Sequence, residues 1–277
     1  MRGLKVIKLI FMILLSFIVL LPVIWMVTSS FRPHSEIFRY TEFGWELFIP
    51  VDFTFENYVD IFSNQDRPFG VYILNTLFVA VVGTVSGLFI NALAAFSFAK
   101  LRFPLKKTLM VLFLSTLVIP FEAIMIPQYL LIRDLGWLDS YKALIIPQIV
   151  WAFGIFMLIQ FFSDIPRDML EAARIDGASW LQIFFRIAVP ISTPALITLG
   201  IMTFINRWDE FLWPLIVISD DSRQLIQVAI ASYTTQYSTS WGLIFAASTV
   251  ASIPTLIIFL FLQRYYVQGI TTTGLKG

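Results

Sequence analysis

The chain has 277 residues, 58% of them hydrophobic, and a mean hydropathy of +0.82. Soluble domains carry roughly 45–50% apolar residues, so composition excludes an ordinary soluble protein and points to the membrane. A net charge of +1 offers no footprint for nucleic acid, and the absence of cysteine removes disulfides, a Cys-ligated metal and a thiol nucleophile.

Arg2, Lys5 and Lys8 precede a first apolar run over about residues 9–28, read as a retained signal-anchor helix because it can span a bilayer and lacks a small-x-small cleavage site. Residues 30–70 form a polar outer segment with the basic residues Arg32, Arg39 and Arg67 against the acids Glu36, Glu42, Glu46, Asp52, Glu56, Asp60 and Asp66. A second run covers about 71–98 and ends at Lys100, Arg102, Lys106 and Lys107, with no acid among them, which marks the cytoplasmic side. Further runs follow over about 108–126, 143–162, 191–206 and 243–262. The apolar patch from Phe211 to Ile218 is too short to cross a core of roughly 30 Å and reads as interfacial or re-entrant.

These runs predict an all-α integral membrane protein with six transmembrane helices and both termini cytoplasmic. In that orientation twelve basic residues fall inside and seven outside, as the positive-inside rule requires. The plan is an anchor helix over 1–29, an outer segment over 30–70, a core over 71–262 with a loop at 163–190, and a cytoplasmic tail over 263–277.

That loop, between the fourth and fifth spans, reads SDIPRDMLEAARIDGASWLQIFFRIAVP. Pro166 suits a first helical turn, Gly177 can take the left-handed conformation that ends a helix, and Ser179 with Gln182 forms a capping box for a second helix. Ala172, Ala173, Gly177 and Ala178 admit close approach of another surface, and Arg167, Glu171 and Arg174 are spaced to pair along one face. All the cytoplasmic acids, Asp164, Asp168, Glu171 and Asp176, lie here. The stretch around 166–187 therefore reads as a docking element.

No G-x-x-x-x-G-K-[ST] phosphate loop occurs, so ATP chemistry is not expected in this chain. His34 is the sole histidine and has no partner to complete a metal site. Glu122 lies in the third run, roughly 22 Å up from Lys107 at 1.5 Å per residue, and is the residue on which a proton-coupled secondary sugar carrier would depend. A membrane scaffold that only recruits a partner is a third reading. Amides and aromatic rings suit hydroxyl-rich solutes, because amides bond hydroxyls and rings cover C–H faces. Asn75, Asn91, Gln128, Gln148, Gln160 and Asn206, with Trp208 and Trp213 nearby, are placed for such a solute, and Asn75, Asn91, Gln148, Asn206 and Trp208 are the candidate solute path.

Glu171-Ala172-Ala173, Asp176-Gly177-Ala178, Phe184 and Pro190 have the spacing of the E-A-A-x-x-D-G-A motif, and by it the chain resembles permease subunits of ATP-binding-cassette importers. Phe55-Glu56-Asn57-Tyr58, Asn75-Thr76-Leu77, Met125-Ile126-Pro127, Leu135-Gly136-Trp137, Tyr141, Pro147 and the tail from Gln263 to Gly269 are similar to the carbohydrate branch, whereas Asp209 stands where that branch more often has asparagine. The resemblance implies a non-catalytic transport subunit of a bacterial-type cytoplasmic (inner) membrane, importing a sugar or oligosaccharide. It implies a second, homologous permease as heterodimer partner and an extracytoplasmic sugar-binding protein. It also implies two cytoplasmic ATPase subunits that bind ATP and Mg, so that no cofactor belongs to this chain. Glu171, Ala172, Ala173, Asp176, Gly177 and Ala178 would then form a coupling helix seated in an ATPase cleft.

Overall fold

The computed structural model describes residues 2–40, 42, 44–64, 69–234 and 239–274, with side chains of 2–4 and 262–274 excepted. Asp66, Arg67 and Lys276, used above in the charge balance, lie outside the described residues. Among the described residues the fold is helical, and the extended pairing is confined to one isolated bridge between Thr234 and Thr239.

In chain order the helices are α1 (Arg2–Ser29), α2 (Glu56–Ser63), α3 (Phe69–Lys100), α4 (Lys106–Ser115), α5 (Phe121–Asp134), α6 (Tyr141–Ile145) and α7 (Ala152–Ser163). They continue with α8 (Arg167–Ile175), α9 (Trp180–Ile183), α10 (Val189–Ile191), α11 (Thr193–Trp208), α12 (Leu212–Val217), α13 (Ile226–Ala231) and α14 (Trp241–Gly274). Three of these are long and apolar enough to cross a membrane unaided, over Lys5–Ser29, Phe69–Lys100 and Trp241–Phe261. The backbone of α14 continues helical through the expected tail as far as Gly274.

The runs expected over 108–126 and 143–162 are not single straight helices, whereas the run expected over 191–206 is the one helix α11, bent only where it meets the helix before it. Each belongs to a bent pair: 106–118 with 121–134 at 103°, 141–148 with 152–163 at 45°, and 180–191 with 193–208 at 81°. Six crossings result if each pair counts as one span. The first break has a local cause. Ile119 precedes Pro120 and is pushed out of the helical region, to φ −81° and ψ 115°, and Pro120 itself is extended. Trp151 is likewise extended at the second break, and Pro194 in the first turn of α11 favours the third. Glu122, in the first turn of α5, lies beyond a 103° bend, so a height counted straight up from Lys107 does not apply to it. The short patch after α11 is the six-residue α12, ending at Val217.

The chain divides into two compact units, Met1–Ile73 with Leu225–Pro254 and Leu74–Gln224 with Thr255–Gly277. In the first, polar side chains fix the turn that follows α1. Asn57 on α2 donates to the carbonyls of Ser30 at 2.9 Å and Arg32 at 2.8 Å, and the Ser30 and Tyr58 hydroxyls lie 2.7 Å apart. Arg32 and Glu36 are both buried, yet each serves backbone. The guanidinium donates to the carbonyls of Glu46 and Leu47, and the carboxylate accepts from the N–H groups of Val51 and Asp52. Burial draws the Arg32 guanidinium below its ordinary pKa, against the opposing fields of Glu36 and Tyr40. The segment that follows α1 is therefore folded, its turns held by side chains that satisfy backbone groups.

The second unit has its apolar core at one end. Phe96 of α3, Leu158 and Phe162 of α7, Leu170 of α8, Ile183 of α9, Phe184 and Leu199 of α11 pack together there. Phe96 meets Phe162 and Phe184 edge-on at 5.9 and 5.4 Å. Lys100, closing α3, donates to the carbonyls of Ser163 and Ile165 and so caps the end of α7. Farther along the chain, Asp139 in a left-handed turn accepts from the N–H groups of Ser219 and Asp220. The hydroxyl and N–H of Ser222 hold the Asp220 carboxyl below its ordinary pKa.

Candidate functional site

The loop over 163–190 folds as its local signals dictate. α8 ends with Asp176 as cap and Gly177 at φ +85°; the N–H of Ala178 reaches the carbonyl of Ala173 at 2.9 Å and that of Gly177 the carbonyl of Arg174 at 3.1 Å. These two bonds define a Schellman motif, which only a residue tolerant of positive φ completes without strain. Ser179 then opens α9 with both halves of the capping box, its hydroxyl accepting from Gln182 N–H and its own N–H donating to the Gln182 side chain. The ion pairs expected among Arg167, Glu171 and Arg174 are absent among the described residues. Arg174 instead donates to the carbonyl of Ala178 at 2.7 Å and lies over the Trp180 ring, which ties the two helices together across the turn.

This helix pair is pinned from one side only. Leu170 (3% exposed), Ile165 and Ile183 enter the core, with Ala173 and Ala178 packed against it. Burying one such aliphatic side chain contributes about 1.5–3 kcal/mol. The opposite face displays Glu171, Ala172 and Asp176, together with Ile175 at 86% and Met169 at 44% exposure. Ile175 was not among the sequence candidates. Its signal was available, because five residues beyond the anchor Leu170 a helix has turned about 140° away from the core.

A second feature lies in the same unit. A cavity of about 540 Å³ is lined at two of the breaks and at the far end of α11: Ile119 and Phe121 at the first break, Gln148 to Trp151 at the second, and Asn206, Arg207 and Glu210 at and just after the end of α11. Irregular backbone at membrane depth survives only where protein covers it or where it lines a cavity, and here it lines this cavity. The break after Gln148 is bridged by Asn91 of α3, which donates to the carbonyl of Ile149 at 3.0 Å and accepts from the N–H of Trp151 at 3.0 Å.

The family described as binding-protein-dependent transport system inner membrane component matches residues 87–272. This chain belongs to that family. It is a multi-pass protein of the cytoplasmic membrane, and its curated relatives are transport permease subunits. The permease is 33% identical over 268 residues to the arabinooligosaccharides transport system permease protein AraQ of Bacillus subtilis (strain 168), covering 96% of this chain and 94% of that one. It is 32% identical over 268 residues to the trehalose/maltose transport system permease protein MalG of Thermococcus litoralis, with the same two coverages. Among solved structures, a bacterial ABC transporter involved in the import of the acidic polysaccharide alginate shares the fold with a TM-score of 0.83, at 24% identity over 96% of this chain and 97% of that chain. A family that works with binding proteins turns against the proton-driven carrier, and Glu122 is an exposed residue at a helix start.

Within the permease the five solute-path candidates separate. Asn91, Gln148 and Asn206 line the one cavity. Asn75 is engaged elsewhere, donating to the carbonyls of Ser222 and Gln224 and accepting from the Tyr141 hydroxyl at 2.8 Å. Trp208 is fully buried and stacked on Phe204, 5.8 Å between ring centres. Gln128, one of the polar residues read as suited to a hydroxyl-rich solute, also lines the cavity, as do Arg207 and Glu210, which were not singled out from sequence.

Proposed function

We propose that this permease is one half of a two-permease pore in an ATP-driven importer that carries a sugar or oligosaccharide into the cytoplasm. Six spans with both termini cytoplasmic place the loop over 163–190 beside Lys100, Arg102, Lys106 and Lys107, on the side where ATP is available. The observation that carries the reading is the one-sided anchoring of α8. Its inner face is fixed in the core while Ile175 and Met169 stand in solvent, which is the form of a knob that fits a partner's cleft.

Two ATPase subunits, binding ATP and Mg, would each hold one permease's α8. A homologous second permease would complete the pore, and an extracytoplasmic binding protein would deliver the solute to the outer face. A complex of the alginate transporter with an alginate pentasaccharide-bound periplasmic protein, a neighbour in fold, supports the binding protein as partner, and relatives named for arabinooligosaccharides and trehalose/maltose support the solute class. Force applied to α8 passes through the shared core to α11, whose 16 residues reach about 24 Å from the loop to the cavity. Closure of the ATPases would thus tilt the helix that carries Asn206 and Glu210, and alternate the cavity's access.

Ile175→Asp tests the knob. The side chain is exposed, so the change should leave folding within about 0.5 kcal/mol of wild type. ATP-dependent sugar uptake in vesicles is expected to fall at least tenfold at unchanged permease level; wild-type uptake would count against α8 as the contact.

A further inference from the structure

One wall of the cavity holds two opposite charges that lie within each other's field but form no ion pair. Arg207, 3% exposed, donates through Nη2 to the backbone carbonyl of Gln148 at 2.7 Å. Its guanidinium lies flat against α3 at Gly83, where a Cβ would stand 2.6 Å from Cζ and Nη1. Glu210, three residues on, accepts instead from the side-chain amide of Gln148. Among the described residues no ion pair joins Arg207 to Glu210. Gln148 thus holds both, by its backbone and by its side chain, and keeps them apart.

The consequence is an asymmetric wall. The positive charge is sealed between α3 and the Gln148 carbonyl, whereas the partly exposed Glu210 faces the cavity with acceptor capacity beyond its bond to Gln148. On the same cavity, the Nε2 donor of Gln128 is buried without a partner. A carboxylate that can accept and an amide that can donate suit the hydroxyl groups of one solute, which offer both kinds of bond. A sugar acid offers its own carboxylate only as an acceptor and meets Glu210 as a like charge. We propose that Glu210 and Gln128 form a hydroxyl-binding subsite that selects neutral sugars over uronates, with Arg207 as a positioning residue that fixes the Gln148 carbonyl. This subsite rests on the importer reading and names its solute class.

The test is saturation-transfer NMR on the assembled permease–ATPase importer without its binding protein, using maltotriose, arabinotriose, lactose and trigalacturonate as probes. Wild type should bind at least one neutral sugar and show at least tenfold weaker binding of trigalacturonate. Glu210→Gln should weaken the neutral sugar at least tenfold. Equal binding of trigalacturonate, unchanged binding in Glu210→Gln, or no binding of any probe by wild type would each overturn the subsite. ATP-dependent uptake by the same wild-type preparation, supplied with binding protein, keeps the importer reading standing in those cases, and its absence would remove both. Should Glu210→Gln not accumulate, Glu210→Asp, which keeps the charge but withdraws it by one methylene, carries the same pair of outcomes.

Discussion

Gly177→Arg is expected to abolish ATP-driven uptake, at least tenfold below wild type, while Gly177→Ala retains most of it. At φ +85° any side chain strains the backbone, by about 1–2 kcal/mol, and alanine and arginine share that cost. Inside the permease they also share an open position, because a Cβ at Gly177 meets nothing within 4 Å. The chain itself therefore gives no reason for the larger side chain to be worse. A difference between the two variants must come from a surface that docks there, and the readouts are uptake and binding-protein-stimulated ATP hydrolysis, which should fall together in Gly177→Arg. Equal behaviour of the two variants would mean that nothing closes on the turn.

Asn91→Leu is expected to cost about 2–6 kcal/mol, since it strands the carbonyl of Ile149 and the N–H of Trp151 and each buried unpaired group costs about 1–3 kcal/mol. Against a total stability on the order of 5–15 kcal/mol, that is enough to lower the accumulated level of the protein. Asn91→Asp keeps the acceptor for Trp151 but loses the donor to Ile149, and should fall between. Thermal unfolding of the purified importer in detergent gives the order wild type, Asn91→Asp, Asn91→Leu. A Leu variant as stable as wild type would mean that the break needs no bridge.

What could be read in the sequence was local. The Schellman turn at Gly177 and the Ser179–Gln182 box depend on residues within five positions of one another, and both are present. The long helices α1, α3 and α14 follow from runs of apolar residues. The breaks inside the third and fourth runs were not legible as breaks, because the residues around Ile119 and Val150 stay apolar while the geometry changes. The group that makes the second break tolerable is Asn91, about sixty residues away in the chain. Trp208 misled for a related reason: in a membrane protein both lipid-facing and core-facing positions are apolar, so composition does not say that its ring stacks inward on Phe204. Glu210 gained meaning only when Gln148 and the cavity came to lie beside it.

The central claim is that α8 meets the ATPase on the cytoplasmic side. The chain contains no cysteine, so Ile175→Cys introduces a single reporter on the exposed face of that helix. A membrane-impermeant maleimide should label this variant in inside-out vesicles, and labelling should fall at least tenfold when the ATPase subunits are assembled with it. Equal labelling with and without the ATPase, or labelling only from the outer side, would contradict the account.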